Sequence, residues 1–255
     1  MISAEQLKIF AKKYKINENI VAREFVQVSF LKELYEQRFS KEVFFKGGTA
    51  IRLMYGGKRF SEDLDFTVIA NESEFLKKIN TFFKQLTNKY PFTFKEKQTL
   101  TGKTFLLTAE IPSLTSNIFV KLDFSMRESV INPVQEILKT DYPITIQAFI
   151  NCLSKSEIFA EKIRAILKRE KQRDLYDLWI LCELGATPNL KLITKKLAYY
   201  GEKLDKTTLL DNLKKFKKEE FIMDLKPFVT TNERDKLGYL FDYISKYLEE
   251  EFKKL

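Results

Sequence analysis

FFKGGTAIRLMYGGKRFSEDLDFTV, residues 44–68, carries four of the chain's eight glycines within eleven residues and closes on two aspartates one residue apart. Val43-Phe44-Phe45 is a short apolar run that stops at Lys46-Gly47-Gly48, the pattern of a buried strand entering a tight turn. Helical spacing resumes over residues 49–55 and stops at Gly56-Gly57. Residues 63–69 alternate as a strand. Two consecutive glycines after a strand let the backbone approach a ligand closely. A helix starting at Thr49 offers unpaired N–H groups to an anion, and the threonine adds a hydroxyl. On a strand, Asp63 and Asp65 project to the same face, with Leu64 and Phe66 on the other. Two adjacent carboxylates repel unless a cation lies between them, and Mg²⁺ takes such oxygen ligands together with substrate phosphates. Each half has a bland reading: Gly-Gly turns are common punctuation, and Asp-x-Asp suits a solvated edge strand. No Walker loop is present, because no Gly-Lys-Ser/Thr follows at the required spacing.

Outward from this stretch, the first forty residues read as helical. Ser3 and Gln6 have capping-box spacing, and Asn17 can cap a second helix whose stripe is Val21, Phe25, Val28, Leu31 and Tyr35. Residues 73–90 form an amphipathic helix with Phe75, Ile79, Phe82, Phe83 and Leu86 on one side. Strand-like segments follow near 92–97, 104–111 and 117–124. In the last, Phe119-Val-Lys-Leu-Asp-Phe124, Asp123 stands in an apolar strand where an aspartate is out of place without a partner. If that strand neighbours the one bearing Asp63 and Asp65, three carboxylates converge, the cluster that two-metal phosphoryl or nucleotidyl transfer requires. Beyond about Phe149 only helical periodicity is legible. The layout is a mixed α/β half, residues 1–145, followed by an all-helical half, residues 146–255.

Composition narrows the chemistry. The chain has 255 residues, 44% of them hydrophobic, and no histidine. Histidine bases, Ser-His and Cys-His nucleophile pairs and most zinc sites are thereby excluded. Cys152 and Cys182 are far apart in apolar surroundings and read as free thiols of a reducing cytoplasm. No apolar run is long enough to span a bilayer, and no membrane partner is expected. The net charge of +9 leans weakly toward a polyanionic partner. Lys8, Lys12, Lys13, Lys15 and the run at residues 214–218 are candidate contacts to an RNA backbone, although charge runs are more often solvated faces.

A second cluster lies in SEIFAEKIRAILKREKQRDLYDLWILCELG, residues 156–185. Ser156 is placed to cap a helix in which Lys162 flanks the apolar positions Ile158, Ala165 and Ile166. A lysine there needs an anion or must snorkel. Gln172-Arg173-Asp174 reads as a helix break and restart. Asp174 suits the N-terminal end of the next helix and shares a face with Asp177; Arg173 and Asp177 read as structural.

Taken together, KGGTAIRLMYGGKRFSEDLDF and AEKIRAILKREKQRDLYDLWIL resemble the motifs of the AbiEii/AbiGii nucleotidyltransferase toxin family, itself similar to the DNA polymerase β-like superfamily. The order is right, as is the gap between the Gly-Gly-Thr turn and the Asp-x-Asp pair. The likeness runs over about residues 43–185. It implies an α/β (α+β) fold: a nucleotidyltransferase-type mixed sheet with flanking helices, then a helical C-terminal domain that contributes Lys162 and Asp174. It implies a nucleoside triphosphate substrate, Mg²⁺ or Mn²⁺, a toxin role in toxin–antitoxin or phage-defence systems, and an antitoxin encoded separately. Some members are thought to add nucleotides to tRNA, which makes an RNA acceptor the expectation. By position, Gly47, Gly48 and Thr49 would hold the triphosphate, and Arg52 would brace the turn or reach a phosphate. Asp63 and Asp65 would bind metal. Lys162 would contact phosphates, and Asp174 would support Lys162 or the acceptor. Thr49 stands where the wider superfamily has serine. Asp123 rests on the strand argument, not on a family motif. Two other readings stay open: transfer of a nucleotidyl or phosphoryl group to a protein or small molecule, and a non-catalytic nucleotide- or RNA-binding module.

Overall fold

Helix α1 (Ala4–Tyr14) opens with the expected capping box, Ser3 and Gln6 each satisfying the other's backbone N–H. Asn17 caps α2 (Glu18–Tyr35), which is buried over nearly its whole circumference and not along one stripe. The computed structural model describes residues 2–99 and 102–255. They fall into two units: residues 1–56 with 60–153, and residues 57–59 with 154–255.

In the first unit the chain continues through β1 (Val43–Lys46), α3 (Gly47–Tyr55), β2 (Leu64–Val68), α4 (Glu72–Lys89), β3 (Phe92–Lys97), β4 (Lys103–Ala109), β5 (Ile118–Ser125), β6 (Pro133–Glu136) and β7 (Ile150–Leu153). The seven strands form one mixed sheet in the order β3-β4-β5-β2-β1-β7-β6. The β2–β5 and β1–β7 pairs are parallel, and the rest are antiparallel.

Alternation gives this sheet two unlike faces. Val43, Phe45, Leu64, Phe66, Val120, Leu122, Phe124, Phe105 and Leu107 share one parity, and all are buried. Phe30 of α2 and Phe75, Phe82 and Phe83 of α4 cover this face. Phe66 stacks on Phe124 at 5.0 Å between centroids, and Phe75 and Phe83 meet Phe124 and Phe105 at 5.1 and 5.0 Å. Burying each such ring stabilises the fold by about 2–3 kcal/mol, so this parity is strongly enforced. The opposite parity carries Lys46, Asp65, Thr67, Thr104, Lys121, Asp123 and Ser125.

Two local expectations need correction, and one strand had no signal in the sequence. The stretch after Phe149 begins not with helix but with β7, whose residues Ile150-Asn-Cys-Leu153 are all buried. A four-residue run buried on both faces has no alternation to betray it. The short edge strand β6 was equally silent; its proline stands at the first position, where the missing N–H costs no ladder bond. Finally, Ser154, not Ser156, caps the next helix, accepting from the Glu157 N–H.

The second unit is helical: α5 (Lys155–Lys168), α6 (Gln172–Glu183), α7 (Leu190–Ala198), α8 (Lys206–Leu213), α9 (Lys218–Leu225), the single turn α10 (Thr231–Arg234) and α11 (Leu237–Lys253). Helix α5 packs against α6, α7 and α8, while α9 and α11 pack on α6. Its core includes Phe159, Ile163, Leu178, Leu181, Phe221 and Leu248, all fully buried. Lys196 is also buried, its ammonium held by Glu157 at 2.7 Å and Glu161 at 3.0 Å. Among the described residues no helix is long and apolar enough to cross a membrane.

Candidate functional site

Four strands of the first unit bring one row of side chains together. Asp65 on β2 is the register partner of Asp123 on the parallel β5. Lys46 on β1 pairs with Asp65, and Thr104 on β4 pairs with Asp123. The row therefore reads Thr104–Asp123–Asp65–Lys46 on the face opposite the aromatic core. Asp63 stands just before β2 instead of within it, two residues before Asp65.

Helix α3 begins at Gly47, two residues earlier than its sequence pattern suggests, and Lys46 gives it no side-chain cap. Its first amides lack intrahelical partners by construction, which leaves donors and a partial positive charge at this end. Gly47 has φ +78°, a left-handed conformation disfavoured for any residue with a Cβ. A Cβ there would collide with the Asp65 carboxylate. Glycine at 47 is thus required both for the turn and for the approach of the helix start to Asp65. Thr49 is buried, and its hydroxyl donates to the Asp63 carbonyl. In this state its hydroxyl ties the helix to the entrance of β2, leaving its amide as the group suited to an anion. Arg52 forms a bidentate ion pair with Glu24 of α2, and its guanidinium lies 3.5 Å over the Phe60 ring. Those contacts favour bracing over phosphate binding.

The electrostatics of the row are those of crowded acids. Burial pushes the Asp65 carboxyl up to about 6, with the neighbouring charges of Asp63 and Asp123 adding to it. Among the described residues its carboxylate accepts no hydrogen bond. Asp123 is differently placed: the Thr104 hydroxyl donates to Oδ1, and the Lys121 ammonium lies 2.6 Å from Oδ2. The same ammonium is 3.9 Å from Asp63. Burial works against the Lys121 charge, but the hydrogen bond to Asp123 and the fields of Asp63 and Asp123 outweigh it. Lys46 is buried and lies 3.6 Å from buried Glu128. Further along the same face the hydroxyls of Thr67 and Ser125, themselves register partners, have no hydrogen-bond partner among the described residues.

Do these donors suit a divalent cation? Hard carboxylate oxygens, mutual repulsion that raises Asp65, and the absence of nitrogen or sulfur ligands all fit Mg²⁺ or Mn²⁺. Among the described residues, though, no three acidic or thiol side chains as they stand are arranged to hold one ion in common. The convergence expected of Asp63, Asp65 and Asp123 is incomplete in this state, with the lysine ammonium against two of the three.

In the second unit, Lys162 of α5 lies 2.6 Å from both Asp174 and Asp177 of α6. Arg59 chelates Asp177 at 2.6 and 2.7 Å, and Arg169 pairs with Asp174 at 2.8 Å. Burial alone would raise both carboxyls, but Lys162 and the two arginines hold them below the usual range. Asp177 is as much a partner of Lys162 as Asp174 is.

Sequence reasoning passed over Lys121, Lys46, Thr104 and Arg59. Lys121 had a signal, since it shares its parity with Asp123. Lys46 had one too, standing last on a strand directly before the glycines. Thr104 and Arg59 had none, because their partners are set by strand register and helix packing.

A family model described as "Nucleotidyl transferase AbiEii toxin, Type IV TA system" matches residues 29–242. No curated protein matches the chain. Among solved structures, MenT4, a nucleotidyltransferase toxin from Mycobacterium tuberculosis H37Rv, aligns with a TM-score of 0.63 at 16% identity, over 99% of this chain and 93% of that one. JHP933 from Helicobacter pylori aligns with a TM-score of 0.55 at 19% identity, over 94% and 95%. At these identities the likeness is one of fold: a mixed sheet with flanking helices followed by helices.

Proposed function

Because the chain belongs to the AbiEii nucleotidyltransferase toxin family, we propose that it transfers a nucleotide from a nucleoside triphosphate to an RNA acceptor, tRNA in the first instance, as the toxin of a system whose antitoxin is a separate product. The observation that carries this reading is the pairing of Asp65 with Asp123 across β2 and β5, beside a helix start that only glycine allows so close.

Asp63, Asp65 and Asp123 would hold the divalent cation, Mg²⁺ or Mn²⁺. When bound, it supplies charge neutralisation at the phosphoryl oxygens and lowers the pKa of an acceptor hydroxyl. The amides of Gly47, Gly48 and Thr49 bind the triphosphate, where the α3 dipole favours negative charge. Thr104 orients Asp123 by donating to Oδ1, which leaves the other oxygen to be exchanged between cations. Arg52, braced by Glu24 and Phe60, fixes the pitch of α3 so that its first turn stays beside β2. The family resemblance would make Lys162 a phosphate contact, and within its own unit Asp174 and Asp177 hold its ammonium charged.

The test is incorporation of label from each of the four α-labelled triphosphates into total tRNA, with and without Mg²⁺, by the wild type and by Asp65→Ala. Metal-dependent labelling that the variant loses supports the proposal. Labelling of a protein or a small molecule instead moves the acceptor and keeps the chemistry. No labelling of any acceptor with any triphosphate overturns the proposal.

A further inference from the structure

Lys121 stands on this face beside Asp123, and the proposed reaction gives it no part. Strand β5 alternates strictly between buried and open positions, so Lys121 and Asp123 project from the same side two residues apart. The ammonium is 2.6 Å from Asp123 Oδ2 and 3.9 Å from Asp63 Oδ2. Thr104 already occupies the other oxygen of Asp123. A divalent cation that takes Asp123 through Oδ2, the oxygen not held by Thr104, must displace the ammonium. The Lys121 side chain is 42% exposed, and its unbranched stem can carry the charge away without disturbing the sheet. Arginine would be harder to displace, since its planar fork can bind the carboxylate in bidentate fashion.

The mutual repulsion of the three acids gives this contact a purpose beyond an ordinary surface ion pair. Lys121 and Lys46 are the two cations whose charges offset the burial and crowding of Asp65, and of these Lys121 stands directly on Asp123. A displaced ammonium would find a new anion in the polyphosphate of the substrate, which would couple the two binding events.

Resting on the reading of Asp63, Asp65 and Asp123 as the metal site, we propose that Lys121 is a displaceable internal cation. It holds the acidic row together in the metal-free protein, weakens binding of a divalent ion alone, and makes metal and triphosphate load together.

Mn²⁺ binding, followed by electron paramagnetic resonance of the free ion, tests this without turnover. It is measured with Mn²⁺ alone and with Mn²⁺ plus non-hydrolysable analogues of the four triphosphates. The proteins are wild type, Lys121→Gln, Lys121→Arg and Asp65→Asn, each checked for native thermal unfolding. Lys121→Gln is expected to bind Mn²⁺ alone about tenfold more tightly than wild type, since a nearby positive charge is gone, and to lose most of the gain that nucleotide gives the wild type. Lys121→Arg, which keeps the charge, is expected to bind Mn²⁺ alone no more tightly than wild type. If Asp65→Asn weakens Mn²⁺ binding while Lys121→Gln leaves both the affinity and the nucleotide gain unchanged, the metal site stands and the role of Lys121 is overturned. If Asp65→Asn binds Mn²⁺ as wild type does, the ion is not held by this row, and both readings fall together.

Discussion

At position 65 a carboxylate is kept where it costs the fold something. Its carboxyl is pushed up to about 6 by burial and by Asp63 and Asp123, against an ordinary value near 3.8 in the unfolded chain. The folded protein therefore binds the Asp65 proton more tightly than the unfolded chain does. The resulting destabilisation is absent below about pH 4, grows as pH rises toward 6, and is complete above that. In the absence of divalent ions, Asp65→Asn should be more stable than wild type at pH 8, on the order of 1 kcal/mol after solvent screening of this partly open group. The gap should close at about pH 4. Thermal unfolding in EDTA across that range measures it, and an Asn variant less stable at pH 8 would show the carboxylate to be structural. Gly47 is the complementary case. Gly47→Ala must hold a Cβ at positive φ and against Asp65, so a loss of about 1–3 kcal/mol is expected, together with loss of nucleotide transfer. Chemical denaturation and labelled-triphosphate incorporation read the two effects separately. Both residues were legible in the sequence, because a Gly-Gly turn and an Asp-x-Asp pair carry their conformational requirements locally.

Helices α5 and α6 are joined by charge as well as by apolar packing. Asp174 and Asp177 both have depressed values in the folded state, so their contribution is present above the unfolded value near 4 and is lost as pH falls through the folded value. Asp174→Asn leaves Lys162 and Arg169 facing an amide. It should cost about 3 kcal/mol at neutral pH, in the range for breaking a buried pair. The difference between variant and wild type should shrink progressively as pH falls below about 4, where the unfolded wild type takes up the Asp174 proton that the folded protein resists. Urea unfolding at pH 7, 4 and 2.5 checks this; a constant difference across the three would show that the aspartate acts by packing. The i, i+4 spacing of the apolar positions disclosed the helices, and the lysine among them disclosed that an anion was needed. Which anions answered was not disclosed. Asp177 had read as structural, yet it shares the ammonium equally, and Arg59 reaches it from a segment far off in the chain.

For the molecule as a whole, the +9 charge is more evenly paired than its runs suggest. In the stretch at 214–218, Lys214 lies 3.3 Å from Asp211, Lys217 3.3 Å from Glu220 and Lys218 2.6 Å from Asp242, while Lys215 donates to Asn212. These exposed pairs are worth little and yield readily to a phosphate. If the run meets RNA, Lys214→Gln with Lys215→Gln should reduce the slope of log affinity against log salt by about 1.4, two contacts' worth on a single strand. Filter binding of tRNA over a range of KCl concentrations measures it, and an unchanged slope would make the run a solvated face.

Parity and punctuation come from geometry within a few residues: which side chains of a strand share a face, where only glycine fits, where a helix begins. These placed Asp63 with Asp65 and marked Asp123 as anomalous, while composition alone ruled out histidine chemistry. Register and neighbour choice come from long-range pairing and from burial of the aromatic face, which no local pattern encodes. The alignment of Asp65 with Asp123, the ammonium of Lys121 between acids, the Thr104 donor, the β7 strand and the Arg59–Asp177 pair all belong to that second kind. Each needs two distant segments to compete for the same hydrogen bonds or the same buried space, and folding of the whole chain settles that competition.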